Sequence, residues 1–303
     1  MSFLKSFYVV VFTAILIISI LITALYTRVQ SERQVSVFVS TGTTLYQIGV
    51  LDDLLSDFRN ISGVNVEFKI LVRGSGEALR LLVDGSSCIA FTHAPTLEKT
   101  YLEQGRIERL ALFAYNEFII VGPREDPANI SSAEDAVEAF KRILYAGISG
   151  KALFISRGDL SGTHVRELVL WNLIGVKPQG DWYLRAGQGM IQTLLLADNL
   201  NAYTLVDEGT WRVLRVQGKV RNLVELKRDP ELLINVYSVY LSKTPNCRER
   251  DILEVAYKLK EYLLTRGQDL LEVKYSDKLR PVRNKFKQVI EAWNTLSNLK
   301  GAD

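Results

Sequence analysis

The sequence predicts an α/β fold with mainly parallel sheets, and two observations predict it. Short apolar stretches of strand length alternate with stretches of helical periodicity along most of the 303 residues. The connections between them are short and rich in glycine and hydroxyl residues, as strand-to-helix turns are. No low-complexity linker and no repeat interrupts that alternation.

Taken in order, Val35-Ser36-Val37-Phe38-Val39 alternates as a first strand. It runs through Ser40-Thr41-Gly42-Thr43-Thr44 into a helix with apolar positions at Leu45, Ile48, Leu51, Leu55 and Phe58. A second strand, Val64 to Leu71, leads through Arg73-Gly74-Ser75-Gly76 into a helix over Glu77 to Val83. Cys88 to Phe91 reads as a short buried strand ending in Thr92-His93-Ala94-Pro95, with His93 expected to hold its own turn. Glu117 to Val121 is a strand closed by Gly122-Pro123, and Ser131-Ser132-Ala133-Glu134 resembles a capping box that starts a helix. Ala152 to Ile155 is a strand, followed by Ser156-Arg157-Gly158-Asp159-Leu160-Ser161-Gly162-Thr163-His164 and a helix from Val165. Trp182 to Leu184 and Ala202 to Leu205 are strands, each followed by a glycine turn and a helix. Asn235 to Leu241 is a late strand, and Asp251–Leu264 and Val282–Leu299 are amphipathic helices expected to pack on the core.

The turn at 156–164 carries the candidate chemistry. The first N–H groups of a helix have no internal partner and carry the positive end of its dipole. Glycines allow close approach, Ser161 and Thr163 add hydroxyl donors, and Arg157 offers a planar fork suited to tetrahedral oxyanions. A purely local reading competes: Arg157 pairs with Asp159, and Ser161 caps the helix. The repetition of similar turns at 41–44, 74–76 and 187–190 favours an anion, because in α/β folds such turns collect beyond the carboxyl ends of strands. Two sheets facing each other across a cleft bring them to one point.

Composition narrows the partners. Lys and Arg number 37 against 34 Asp and Glu, so no basic excess marks a nucleic-acid binder. Two histidines and two cysteines are too few for a metal site, and no metal or cofactor is expected. Cys88, beside Ile89-Ala90-Phe91, reads as a small buried core residue, although an exported chain could join it to Cys247. Phe7 to Tyr26 is uncharged and apolar apart from Thr13, Ser19 and Thr23. A span takes about 20 such residues, so the segment reads as an uncleaved membrane anchor, with a signal peptide as the alternative. Both export the rest of the chain.

On these residues the chain resembles the tungstate-binding proteins of ABC importers. The likeness rests on the hydroxyl run at 40–44, Gly74-Ser75-Gly76-Glu77-Ala78-Leu79, His93-Ala94-Pro95 and Tyr115 to Pro123. It also takes in Ser156 to His164 entire, Gly187-Gln188-Gly189-Met190 and Ala202-Tyr203-Thr204-Leu205. It implies a two-lobed, periplasmic-binding-protein-like fold of type II, with a mixed sheet in each lobe and hinge crossovers near 118 and 238. Residues 1–33 are then the anchor or signal segment, 34–117 with 239–303 one lobe, and 118–238 the other. The resemblance further implies that Thr43, Ser75, Arg157, Ser161 and Thr163 ligate tungstate or molybdate, with Thr41 and Thr44 as further candidates. Gly42 and Leu45 depart from the hydroxyl residues usual in that loop. The implied partners are an ABC permease and ATPase, the location is extracytoplasmic, and the protein is not an enzyme. Three rivals are weighed: a phosphate-binding protein, a serine hydrolase using Ser161 and His164, and a membrane-bound sensor domain without a transporter.

Overall fold

The structure, a computed structural model, describes residues 12, 13, 15–22 and 34–299. Half of the predicted span Phe7–Tyr26 lies outside the described residues. Among these, no helix is long and apolar enough to cross a membrane.

The chain enters through β1 (Val35–Gly42), which lies between β2 (Val66–Arg73) and β3 (Ile89–Thr92), parallel to both. Val37 and Val39 are fully buried while Phe38 is exposed, as the alternation predicts. Helices α1 (Thr43–Gln47), α2 (Val50–Ile61), α3 (Ser75–Asp84) and α4 (Pro95–Glu103) fill the connections. Then β4 (Ile107–Pro123) does two jobs. Its residues 107–117 pair antiparallel with β9 (Ile234–Ser242), and from Phe118 onward it pairs with β7 (Thr204–Asp207) and β8 (Leu223–Lys227). One strand thus belongs to two sheet regions.

Between β4 and β9 the chain adds α5 (Ala136–Ile148), β5 (Phe154–Ser156), α6 (Gly162–Leu173), β6 (Tyr183–Arg185), α7 (Met190–Asn199) and α8 (Glu208–Val216). After β9 come α9 (Arg250–Leu264), α10 (Arg266–Tyr275), the short β10 (Arg280–Pro281) and α11 (Phe286–Ser297). Apolar side chains gather in separate cores. Phe58, Phe91, Phe113, Tyr237 and Leu259 belong to the first. Phe118, Phe140, Phe154, Trp171 and Tyr203 fill one side of the second sheet region, and Ile119, Ile155, Met190 and Val206 the other. The Phe140 and Trp171 rings are 4.5 Å apart, so truncating either would cost about 3–5 kcal/mol.

Several expectations need correction. The alternation suggested mainly parallel sheets, but they are mixed, as the resemblance implied: β3–β9, β4–β9, β4–β7, β4–β8 and β10–β4 all run antiparallel. The reason is the pair of long strands that carry the chain out and back, whose direction hydrophobic alternation does not encode. The single helix expected from Leu45 to Phe58 is two, broken at Gly49, whose φ is +78°. Ser131 does not start a helix. Asp126 accepts the N–H groups of Ile130 and Ser131, and α5 begins after Asp135, whose side chain caps Glu138 N–H at 2.7 Å. Phe286 is exposed, while Val289, Trp293 and Leu296 on the same helix are buried.

Cys88 and Cys247 are also not separate. They form a disulfide with Cα atoms 5.1 Å apart. β9 runs antiparallel beside β3, with Ser242 N–H bonded to the Cys88 carbonyl at 2.9 Å, and the turn after β9 returns Cys247 to it. A separation of 159 residues hides that adjacency from the sequence.

Candidate functional site

Six strand-to-helix turns face one another where the two cores meet. Gly42, after β1, approaches Ser75: a Cβ on it would lie 3.3 Å from Ser75 Oγ and 3.4 Å from the His93 ring. One on Gly74, after β2, would lie 3.2 Å from the Ser161 backbone, and Gly76 N–H donates to the Leu160 carbonyl at 3.1 Å. One on Gly162 would lie 2.6 Å from His93, so only glycine fits there without displacing that ring. Gly189, after β6, lies against Gln47 of α1, and Asp207, after β7, accepts from Thr44 Oγ1 at 3.3 Å. The convergence expected of the turns is therefore present, with 41–44, 74–76 and 93 on one side and 157–163, 187–190 and 207 on the other.

The chemistry there is donor-rich. α1, α3 and α7 begin after Gly42, Gly74 and Gly189 with no side chain capping their first N–H groups. Ser161 caps α6, accepting from His164 N–H at 3.3 Å, which leaves its own hydroxyl hydrogen to donate. Ser75 Oγ, Thr163 Oγ1 and Arg157 Nε are buried without a hydrogen-bond partner. Buried donors are rarely left unmade, and here three stand on turns that meet. Arg157 is only 1% exposed; its Nη2 reaches Asp159 Oδ2 at 2.5 Å, and Asp159 Oδ1 accepts Ser161 N–H at 3.1 Å. Both features of the local reading, the Arg157–Asp159 pair and the Ser161 cap, are real, but neither satisfies the three donors.

The remaining candidates separate. Thr43 is half-buried at the first position of α1, next to Gly42. Thr41 is buried in β1 and turns its hydroxyl to the Gly42 carbonyl at 3.2 Å. Thr44 gives its hydroxyl to Asp207, which also accepts Thr210 N–H and Thr210 Oγ1. Burial raises the Asp207 pKa against those donors.

Two histidines flank the turns. His93 holds Asn235 Oδ1 through Nδ1 at 2.9 Å and stacks on Tyr237 at 4.9 Å, so it is satisfied, but by β9 and not by its own turn. Burial, aided by the nearby Arg157 and Arg166 and opposed by the Asn235 bond, lowers its pKa to about 4. What the sequence reading missed is its place: the ring is the wall that Gly42 and Gly162 close upon. Gln47, likewise missed, has a buried Oε1 without a partner one turn into α1. His164 Nδ1 accepts Leu160 N–H at 2.9 Å while Ser161 Oγ accepts the His164 backbone N–H, so the two side chains are not joined as nucleophile and base.

Comparison with known proteins places this geometry. Residues 28–253 match the family model described as a PBP superfamily domain. The chain is 33% identical to the tungstate-binding protein TupA of Peptoclostridium acidaminophilum over 272 residues, 86% of this chain and 91% of that protein. The chain belongs to the PBP superfamily, in its tungstate-binding protein family. Other members agree. TupA of Campylobacter jejuni subsp. jejuni is 30% identical over 213 residues, covering 69% of this chain and 76% of that one. The solved structure of the tungstate ABC transporter from Geobacter sulfurreducens is similar with a TM-score of 0.64 and 36% identity, covering 78% of this chain and 97% of that one. The tungstate-binding protein TupA from Desulfovibrio alaskensis G20 gives 0.64 and 29%, with 81% and 98% covered.

Proposed function

We propose that this chain is the extracytoplasmic substrate-binding protein of an ABC importer. It captures tungstate or molybdate in the cleft between a lobe of residues 34–117 with 239–303 and a lobe of 118–238. It then delivers the anion to a membrane permease and its ATPase, held at the membrane by its N-terminal segment. It binds and does not catalyse. The observation that supports the reading is that Ser75 Oγ, Thr163 Oγ1 and Arg157 Nε are all buried and unpartnered on the two turns that the Gly76–Leu160 bond brings together, in a chain whose relatives bear the name of tungstate-binding proteins. Ser161 and Thr43 complete the proposed ligand set. Thr44, engaged by Asp207, joins the lobes rather than the anion, and Thr41 serves its own turn.

Phosphate is the less favoured cargo. Hydrogen phosphate carries a proton and gains from a carboxylate acceptor, whereas tungstate takes donors only. Asp159 is the carboxylate at the turn, and both its oxygens are already engaged by Arg157 and Ser161. Calorimetric titration of the full chain with tungstate, molybdate, sulfate and phosphate tests the reading. Tungstate should bind, and the smaller sulfate should bind about tenfold or more weakly, because a donor left unpaired costs about 1–3 kcal/mol. Phosphate binding as tight as tungstate would sink the assignment.

A further inference from the structure

Leu160 is out of place by ordinary rules. It is large, 56% exposed, and sits at φ +54°, in the left-handed region that glycine favours. That conformation is strained for a non-glycine residue, and no burial of its own side chain offsets it. Two hydrogen bonds hold it there. Its N–H donates to His164 Nδ1 at 2.9 Å, within the same turn. Its carbonyl accepts Gly76 N–H at 3.1 Å, from the opposite side of the cleft. α3 has no side-chain cap of its own, so the Leu160 carbonyl satisfies one of its orphan N–H groups from the other core. The fit is close: a Cβ on Gly76 would lie 3.0 Å from the Leu160 oxygen.

We propose that His164 and Leu160 form a closure clasp, in which His164 positions the Leu160 carbonyl to cap α3 and so fixes Ser75 over the bound anion. This rests on the cleft being the tungstate site. His164 is a positioning residue and touches no ligand. Its Nδ1 must be unprotonated to accept, and burial holds the ring neutral, with a pKa lowered to about 4; Arg185 and Arg157 add to that, and Asp159 opposes it.

The test uses the full chain, tungstate titration and hydrogen exchange of the Leu160 amide without ligand. His164→Leu removes the acceptor, so the amide should lose protection and tungstate should bind about tenfold more weakly. His164→Asn offers a side-chain oxygen in its place and should stay within about threefold of the parent. Leu160→Gly combined with His164→Leu should recover most of the binding, because glycine adopts positive φ without a clasp. Gly76→Ala should weaken binding from the other side while leaving the Leu160 amide protected, which covers the case in which His164→Leu fails to fold. Parental affinity in His164→Leu, or no recovery in the glycine double variant, would overturn the clasp. A parent that binds no tungstate would overturn the functional reading, and Leu160 amide protection retained in His164→Leu would then overturn the His164–Leu160 bond separately.

Discussion

Replacing Arg157 by alanine is the sharpest perturbation of the site. The side chain is 1% exposed, one Nη is on Asp159, and Nε has no partner. Its backbone does not depend on it: the Arg157 carbonyl accepts Gly187 N–H at 2.9 Å, and the Ser156 carbonyl accepts Ala186 N–H at 2.8 Å. The turn should therefore survive truncation. Removing one partner of a buried charge pair costs about 2–5 kcal/mol, or about thirtyfold to several thousandfold in affinity. The loss should lie towards the upper end, because Asp159, 22% exposed, is left beside the anion as an unpaired like charge. Arg157→Lys restores the charge without the fork and should be intermediate. Arg157→Ala with Asp159→Ala should bind better than Arg157→Ala alone. The assay is calorimetric titration with tungstate, paired with a thermal melt of each variant without ligand. If Arg157→Ala binds within about threefold of the parent, the reasoning fails and Arg157 only supports Asp159.

The unpartnered hydroxyls give a graded set: Ser75→Ala and Thr163→Ala should each weaken tungstate by about 1–3 kcal/mol. Thr44→Val, which removes only the bond to Asp207, should weaken it less than either; the same titration ranks them. Breaking the disulfide with Cys88→Ser and Cys247→Ser should cost about 2–4 kcal/mol in the domain it closes, and a melt unmoved by reductant would exclude the bond. Glu167 is buried under Tyr183 OH and Trp171 Nε1, and burial raises its pKa from 4.5 to about 7. A raised carboxyl pKa gives stability that is complete below pH 4.5 and lost as pH rises through 7, up to about 3 kcal/mol. Melting temperatures of the parent should thus fall between pH 5 and 8 more steeply than those of Glu167→Gln, and equal slopes would refute the assignment.

How much of this was legible depends on whether the signal was local. Val37 and Val39 against Phe38 announced β1 by period alone, and the turns at 41–44, 74–76 and 157–163 announced themselves by composition. Their meeting was legible only as repetition, since nothing local says which turns face each other. Strand direction was not legible, because nearly continuous apolar runs such as β4 and β9 read the same in a parallel or an antiparallel pair. Residues 107–114 escaped because all but Glu108 and Arg109 are buried, without alternation, and run on into 115–123 without a break. His93 looked self-contained in sequence, and its partners Asn235 and Tyr237 lie over 140 residues away. The Cys88–Cys247 bond was hidden in the same way. Leu160 gave no signal, since a leucine at positive φ is what local propensity argues against.

The three unpartnered donors explain why residues that never touch the anion should govern its affinity. An unmade buried hydrogen bond costs about 1–3 kcal/mol, so Ser75 Oγ, Thr163 Oγ1 and Arg157 Nε together burden the empty closed cleft by about 3–9 kcal/mol. Under the proposed function, an open cleft would let water satisfy all three, and a bound oxyanion with its lone pairs would satisfy them without opening. Closure and capture are then one step, because the closed form becomes favourable only when the anion is present. Every contact made across the cleft adds to the closed side of that balance. The Gly76–Leu160 bond and the Thr44–Asp207 bond are such contacts. Their strength enters the binding constant directly although their atoms are not ligands. For the same reason, a glycine at Gly74, Gly76 or Gly162 is a binding residue without a side chain: adding a Cβ there holds the two halves apart.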